Sequence, residues 1–154
     1  MPPVKRRYIL FQIEPHDPNG KFSATEGEIV NTVRDLVQKL HGDFGYASIL
    51  LNFHAKKFDP ITRTGVLVAK RGCHQFLLTT LPCVRTIKDQ SVTVSIMKLS
   101  GTLRGCLRSL QGYHGKMIYQ YKKSLKMRKK SPNIPSVEQI NEGINKIRDS
   151  LLEN

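Results

Sequence analysis

The stretch "KRRYILFQI" at residues 5–13 decides how the rest of the chain is read. Three cations lead into Tyr8, Ile9, Leu10 and Phe11, a run with no polar position. A strand sends successive side chains to opposite faces, so such a run is buried on both. Val66–Ala69 has the same character. Two other strand candidates alternate. In "YASILLNFHA" (46–55), Ala47, Ile49, Leu51 and Phe53 share one side. In "SVTVSIMKL" (91–99), Val92, Val94 and Ile96 oppose Thr93, Ser95 and Met97. Doubly apolar strands belong in the centre of a sheet and alternating ones at its edges.

Helical segments separate these strands. Thr25 stands three residues before Glu28, the spacing of a capping box, and Ile29, Val33, Leu36, Val37 and Leu40 then fall on one helical face. Gly42 or Gly45 is expected to end that helix. Cys73–Leu81 reads as a short helix stopped by Pro82. The order strand, helix, strand, strand, helix, strand is the split βαββαβ pattern of a ferredoxin-like or RRM-like α/β sandwich with an antiparallel sheet. Its first and third strands are central, in agreement with the apolar runs. A sheet whose central strands are apolar on both faces needs a second cover, either the C-terminal helices or a partner.

The chain carries 25 Lys and Arg against 12 Asp and Glu, a net charge of +13. Residues 1–130 hold 23 of the cations and 8 of the anions, whereas residues 131–154 hold 2 and 4. No acid occurs from Gln90 to Val137. A field of this sign concentrates polyanions, with nucleic acid the leading partner class and an anionic membrane the second. Cys73, Cys83 and Cys106 form an odd set without framework spacing, as expected in a reducing compartment. The apolar run near the N-terminus is too short for a signal peptide, and no stretch reaches the roughly 18 residues of a membrane span. A soluble intracellular protein is expected.

Within the acid-free window, "SGTLRGCLR" (100–108) reads as a sharp turn at Gly101, a cap at Thr102 and a helix whose first turns carry Arg104 and Arg108. Helix starts favour anions, because their unpaired amides are electropositive. Cations there suit an external anion, which the free amides and guanidinium groups would hold together. Two arginines facing solvent are the plainer alternative. Thr102–Gln111 places Leu103, Leu107 and Leu110 opposite these arginines, and Lys116–Lys130 forms a second helical piece with Ile118, Tyr121 and Leu125 inward. Its run "KKSLKMRKK" contributes Lys122, Lys123, Lys126, Arg128, Lys129 and Lys130. It suits a phosphate backbone, a solvated face or a localisation signal. Six phosphate contacts would make affinity fall roughly a thousandfold between 50 and 200 mM salt. Lys5, Arg6 and Arg7 at the mouth of the first strand are further candidates, with Lys56 and Lys57 and the neighbouring Lys70 and Arg71 a weaker patch. The aromatic pattern of base-stacking sheets is missing, so binding is expected to rest on phosphate and shape.

Past "SPNIPS", Ser136 and Gln139 suggest another capping box, and Val137, Ile140, Ile144, Ile147 and Leu151 recur at 3-4-3-4 spacing. So narrow a stripe suits a single neighbouring surface, here a protein-partner site or the body of the chain. The expected organisation is an RNA-binding core over 1–112, a basic helical extension over 113–130, and a capping or partner-binding helix over 131–154. His16, His41, His54, His74 and His114 are scattered, and the carboxylates are dispersed. Neither a metal site nor a catalytic residue is expected.

Four stretches together resemble a known family. "RYILFQI" (7–13), "GDFGYASI" (42–49), "KKFDPITRTGVLVAKR" (56–71) and "LSGTLRGC" (99–106) are similar, in order, to the Pop-five subunit family of ribonuclease P and RNase MRP. The resemblance implies a non-catalytic subunit of a particle whose RNA removes the 5′ leader of precursor tRNA, with a role in rRNA processing in RNase MRP. The magnesium ions would be bound mainly by that RNA, and this chain would hold no cofactor. It maps the family's SGT(I/L)(R/K) stretch onto Ser100, Gly101, Thr102, Leu103 and Arg104, and its RY start onto Arg7 and Tyr8. Implied partners are the catalytic RNA, the precursor tRNA leader, a TIM-barrel-like subunit of the Rpp-thirty type and a second small α/β subunit. The implied location is the nucleus and nucleolus, or the cytoplasm of an archaeon. Alternatives are a stand-alone RNA-binding module and a protein nuclease, the latter disfavoured by the dispersed carboxylates.

Overall fold

The computed structural model describes residues 2–17, 20–126 and 137–152, side chains at 124–126 excepted. Strand β1 (Arg6–Pro15) and helix α1 (Glu26–Leu50) come first, then β2 (Phe53–Asp59), β3 (Thr64–Lys70) and α2 (His74–Thr80). A single 3₁₀ turn (Leu81–Cys83) precedes the short β4 (Thr86–Ile87). Strand β5 (Gln90–Ser100), α3 (Leu103–Lys126) and α4 (Val137–Leu152) complete the chain. The antiparallel sheet has the order β2-β3-β1-β5-β4, so the two doubly apolar strands are central as expected. The unforeseen β4 adds a two-residue edge, closed by Lys88 and Asp89, both at positive φ.

The strand pleat separates two cores. Ile9, Phe11 and Ile13 of β1 and Leu67 and Ala69 of β3 face α1 and α2, where they meet Ile29, Val33, Val37 and Leu77. Tyr8 and Leu10 with Val66 face the other way, against Cys106 and Leu110 of α3 and Ile147 and Leu151 of α4. The C-terminal helices therefore supply the second cover. Full burial of each such aliphatic side chain contributes roughly 1.5–3 kcal/mol.

Two sequence expectations need correction. Helix α1 does not stop at Gly42 or Gly45. Gly42 takes φ +66, a kink that glycine accommodates, and the helix resumes to Leu50. The strand expected at 46–55 is thus helical through its first half, and β2 starts at Phe53. The alternation misled because Gly45 and Ile49, both buried, also stand one helical turn apart, while Leu51 is 92% exposed. Arg34 fixes this arrangement by donating to the carbonyl oxygens of Leu50 (3.2 Å) and Phe53 (3.4 Å). The capping box stands as read: the Glu28 amide donates to Thr25 Oγ1 (3.3 Å), and the Thr25 amide to Glu28 Oε2 (2.8 Å).

The second correction concerns the C-terminus. Helix α3 runs unbroken from Leu103 to Lys126, through the gap expected between two helical pieces, and the boundary drawn after residue 112 falls inside it. Ile140, Ile147 and Leu151 of the proposed partner stripe are buried within the chain, and Val137 and Ile144 are half-buried. The chain's own sheet has taken this face, because β1 and β3 need an apolar cover. The row that docks is Ile140, Gly143, Ile147 and Leu151. At Gly143 the approach is tight, since a Cβ there would press on Asp59 Oδ2 and lie 3.1 Å from Thr62 Cγ2. The buried Asp59 carboxylate is held by the Thr62 amide (3.1 Å) and hydroxyl (2.7 Å). Beneath this docking, His114 is fully buried and neither ring nitrogen has a hydrogen-bond partner among the described residues.

Two outcomes test this packing. Gly143→Ala is expected to lower unfolding free energy by roughly 1–3 kcal/mol in a denaturant titration, by forcing α4 off the Asp59 turn; an unchanged midpoint would contradict the docking. Burial pushes the His114 pKa from 6.5 down to about 4, although the Asp59 charge pulls the other way. The unfolded state then binds the extra proton first, so stability falls as pH drops from 6.5 towards about 4. Replacing His114 by Leu should flatten that part of the stability–pH curve.

Candidate nucleic-acid interface

One end of the sheet collects positive charge from three elements, β1, β3 and α3. Antiparallel pairing sets Arg6 of β1 opposite Lys70 of β3, and Tyr8 of β1 opposite Ser100 of β5. The Arg71 amide donates to the Lys5 carbonyl (2.8 Å), extending the pairing beyond the strand. The start of β1, the end of β3 and the β5–α3 junction thus lie side by side. Lys5, Arg6, Lys70, Arg71 and Arg104 are exposed there, and Arg7 is half-buried.

The junction has the local structure its sequence suggested. The Gly105 amide donates to Thr102 Oγ1 (3.3 Å), which makes Thr102 the cap of α3, and the Thr102 amide donates to Ser100 Oγ (3.1 Å). Gly101 lies so close to the Arg7 guanidinium that a Cβ would stand 3.3 Å from Nη1. Arg7, distant in sequence, therefore forms one surface with Gly101, Thr102 and Arg104. Arg108 continues it one turn along α3.

The remaining candidates are distributed. Lys57 is drawn towards Glu26 of α1 (3.9 Å), away from the cationic end. Lys56 is half-buried on β2, next to the register shift in the β2–β3 pairing. Lys122 and Lys123 are exposed near the far end of α3, about 27 Å along its axis from Arg104. Eighteen residues make five whole turns, so Lys122 returns to the face of Arg104. Gln111, Gly115 and Tyr119, all exposed, lie between them on that face, and α3 contains no acid. Lys126 ends the helix; Arg128, Lys129 and Lys130 lie outside the described residues, as does Ser136 of the second capping box.

Two histidines missing from the sequence-based set belong to this region. Burial, with the charges of Arg6 and Lys56, lowers the His54 pKa. Burial, with Arg7 and Arg71, lowers that of His74. The neighbouring cations add to burial in both shifts, and none of the ion pairs among the described residues involves Lys5, Arg6, Arg7, Lys70, Arg71, Arg104 or Arg108. Only the proximity of His74 to Arg71 in sequence could have signalled its membership. Cys106 is a core thiol: burial raises its pKa to about 11, Lys98 opposing, and its Sγ donates to the Tyr8 carbonyl (3.6 Å). Among the described residues no three His, Cys, Asp or Glu side chains converge as a metal site, and no helix is long and apolar enough to cross a membrane.

Comparison with known proteins bears on this surface. The model of the Rpp14/Pop5 family matches residues 7–111, which takes in the sheet from Arg7 onward and the start of α3. The human "Ribonuclease P/MRP protein subunit POP5" is 23% identical over 118 residues, covering 74% of this chain and 72% of its own. The mouse protein of that name is 22% identical, with 74% and 70% covered. An Arabidopsis thaliana protein, "Probable ribonuclease P/MRP protein subunit POP5", is 25% identical over 156 residues and 97% of both chains.

The cap gives a test of how this surface is held. Thr102→Ala should cost about 1 kcal/mol of stability and raise amide exchange in the first turn of α3. Unchanged exchange at Gly105 would show that the Thr102 hydroxyl does not hold the turn.

Proposed function

Because the chain belongs to the Rpp14/Pop5 family, we propose that it is a protein subunit of a ribonuclease P/MRP particle, binding its RNA through the cationic sheet end and the exposed face of α3. The observation that carries this reading is the convergence of Arg7, Gly101, Thr102 and Arg104, with Lys5, Arg6, Lys70 and Arg71 beside them and no ion pair among the described residues to quench them. Guanidinium groups next to the amides of a helix start suit phosphate oxygens, which accept charge-assisted hydrogen bonds from both. With both sheet faces packed under helices, bases have no open platform to stack on, and contact is made by the rim.

In this reading the chain performs no chemistry. It neutralises backbone charge where the catalytic RNA and the precursor tRNA leader approach each other, while the RNA holds the magnesium ions that cleavage needs. A TIM-barrel-like subunit of the Rpp-thirty type and a second small α/β subunit are the proposed protein partners. A role in rRNA processing and a nuclear or nucleolar location follow if the chain also serves RNase MRP.

Capture of the full chain from cell extract, with the bound RNA sequenced, is expected to return one abundant structured RNA together with a barrel-type protein; recovery of unrelated transcripts alone would overturn the assignment. With that RNA, Arg104→Ala should weaken binding by roughly 1–3 kcal/mol and reduce the log–log salt slope by about 0.7–0.9. Unchanged affinity and slope would remove Arg104 from the interface.

A further inference from the structure

The turn from β3 into α2 contains a histidine whose proton is placed by the backbone. Gly72, at φ +100, directs its amide to His74 Nδ1 at 3.1 Å. A ring nitrogen that accepts a hydrogen bond carries no proton, so the ring of neutral His74 keeps its proton on Nε2. Nε2 has no hydrogen-bond partner among the described residues. The ring is half-buried beside the charges of Arg7 and Arg71.

Arg7 is held in place too. Its Nη1 donates to the Arg6 carbonyl (3.1 Å) and lies against Gly101. Along β1, Ile9 and Phe11 face the core under α1 and α2, and Arg7 shares their parity. It therefore lies on the side of the sheet from which α2 starts at His74. Ala69 is the register partner of Arg7, and the Arg71 amide bonds the Lys5 carbonyl, so the backbone brings Arg7, Arg71 and His74 to the same end of the sheet; among the described residues no carboxylate pairs with either arginine.

We infer that Arg7, Arg71 and His74 form a pocket for a single RNA backbone phosphodiester, in which His74 serves as a neutral Nε2–H donor between two cations. This rests on the RNA-binding reading above and deepens it. A phosphodiester has one negative charge and two non-bridging oxygens, which two guanidinium groups and one further donor satisfy. A third cation would repel the first two and would have to break the bond from Gly72, whereas a neutral donor adds a contact without either cost. The charge contacts and the neutral contact then have different signatures, because only cations release counterions.

The test titrates a fluorescent RNA hairpin with the full chain over a range of salt. Arg7→Ala is expected to flatten the salt slope by about 0.7–0.9. His74→Ala should reduce affinity about five- to tenfold at every salt concentration and leave the slope unchanged, and His74→Gln, which retains an N–H donor, should recover part of the loss. Imidazole nitrogen NMR of the unaltered chain should show the Nε2–H tautomer, with that signal moving on addition of the hairpin but not of an equal concentration of inorganic phosphate. An affinity indifferent to His74→Ala, a slope that falls as far as for Arg7→Ala, or an Nδ1–H tautomer would each overturn the pocket while the RNA-binding reading stands. Failure of the unaltered chain to bind the hairpin would overturn both.

Discussion

Burial of both faces of β1 and β3 is the constraint on which the rest of this structure depends. A strand with Tyr8, Ile9, Leu10 and Phe11 in succession offers no side to water. Helices α1 and α2 satisfy one face, and α3 and α4 must cross the other. That crossing fixes where α3 begins. The helix leaves β5 at Gly101, next to the start of β1, and so its first turn is aimed at the end of the sheet where Lys5, Arg6 and Arg7 emerge. An apolar requirement inside the molecule thus determines the arrangement of charge at its edge.

The edge is left electrostatically unfinished. Cations that stabilise a fold are usually found near a carboxylate or at a helix C-terminus. Here Arg104 and Arg108 occupy the opposite end of a helix, and the neighbouring histidines are held towards their neutral forms. Such a surface is unfavourable in isolation and becomes favourable when an anion arrives. The Rpp14/Pop5 family match spans the elements that create it, from Arg7 to the early turns of α3.

The strand pattern, the sheet order and the cap at Thr102 were legible in the sequence, because each depends on residues near one another or on a period-two pattern. The second half of α1 was not. A glycine that kinks a helix and one that ends it look alike in sequence, and Gly45–Ile49 fits both a helix and an alternating strand. The C-terminal stripe was recognised as apolar, but its occupant was a matter of tertiary packing. Gly143 carries no hydrophobic signal and nonetheless lies close against the β2–β3 turn. Of the cationic sites, the sequence showed the residues but not their grouping: Lys57 turns to Glu26, whereas Arg7 and Gly101, 94 positions apart, meet.

Enclosing the sheet on both sides divides the labour among residue types. Interior substitutions at positions such as Leu10 or Ile147 would register in folding and, in the function proposed above, rim substitutions at Arg7 or Arg104 in RNA binding, with little overlap between the two sets. A chain organised in this way is free to drift along its perimeter, trading one cation for another as the molecule it meets changes shape, while its scaffold stays fixed.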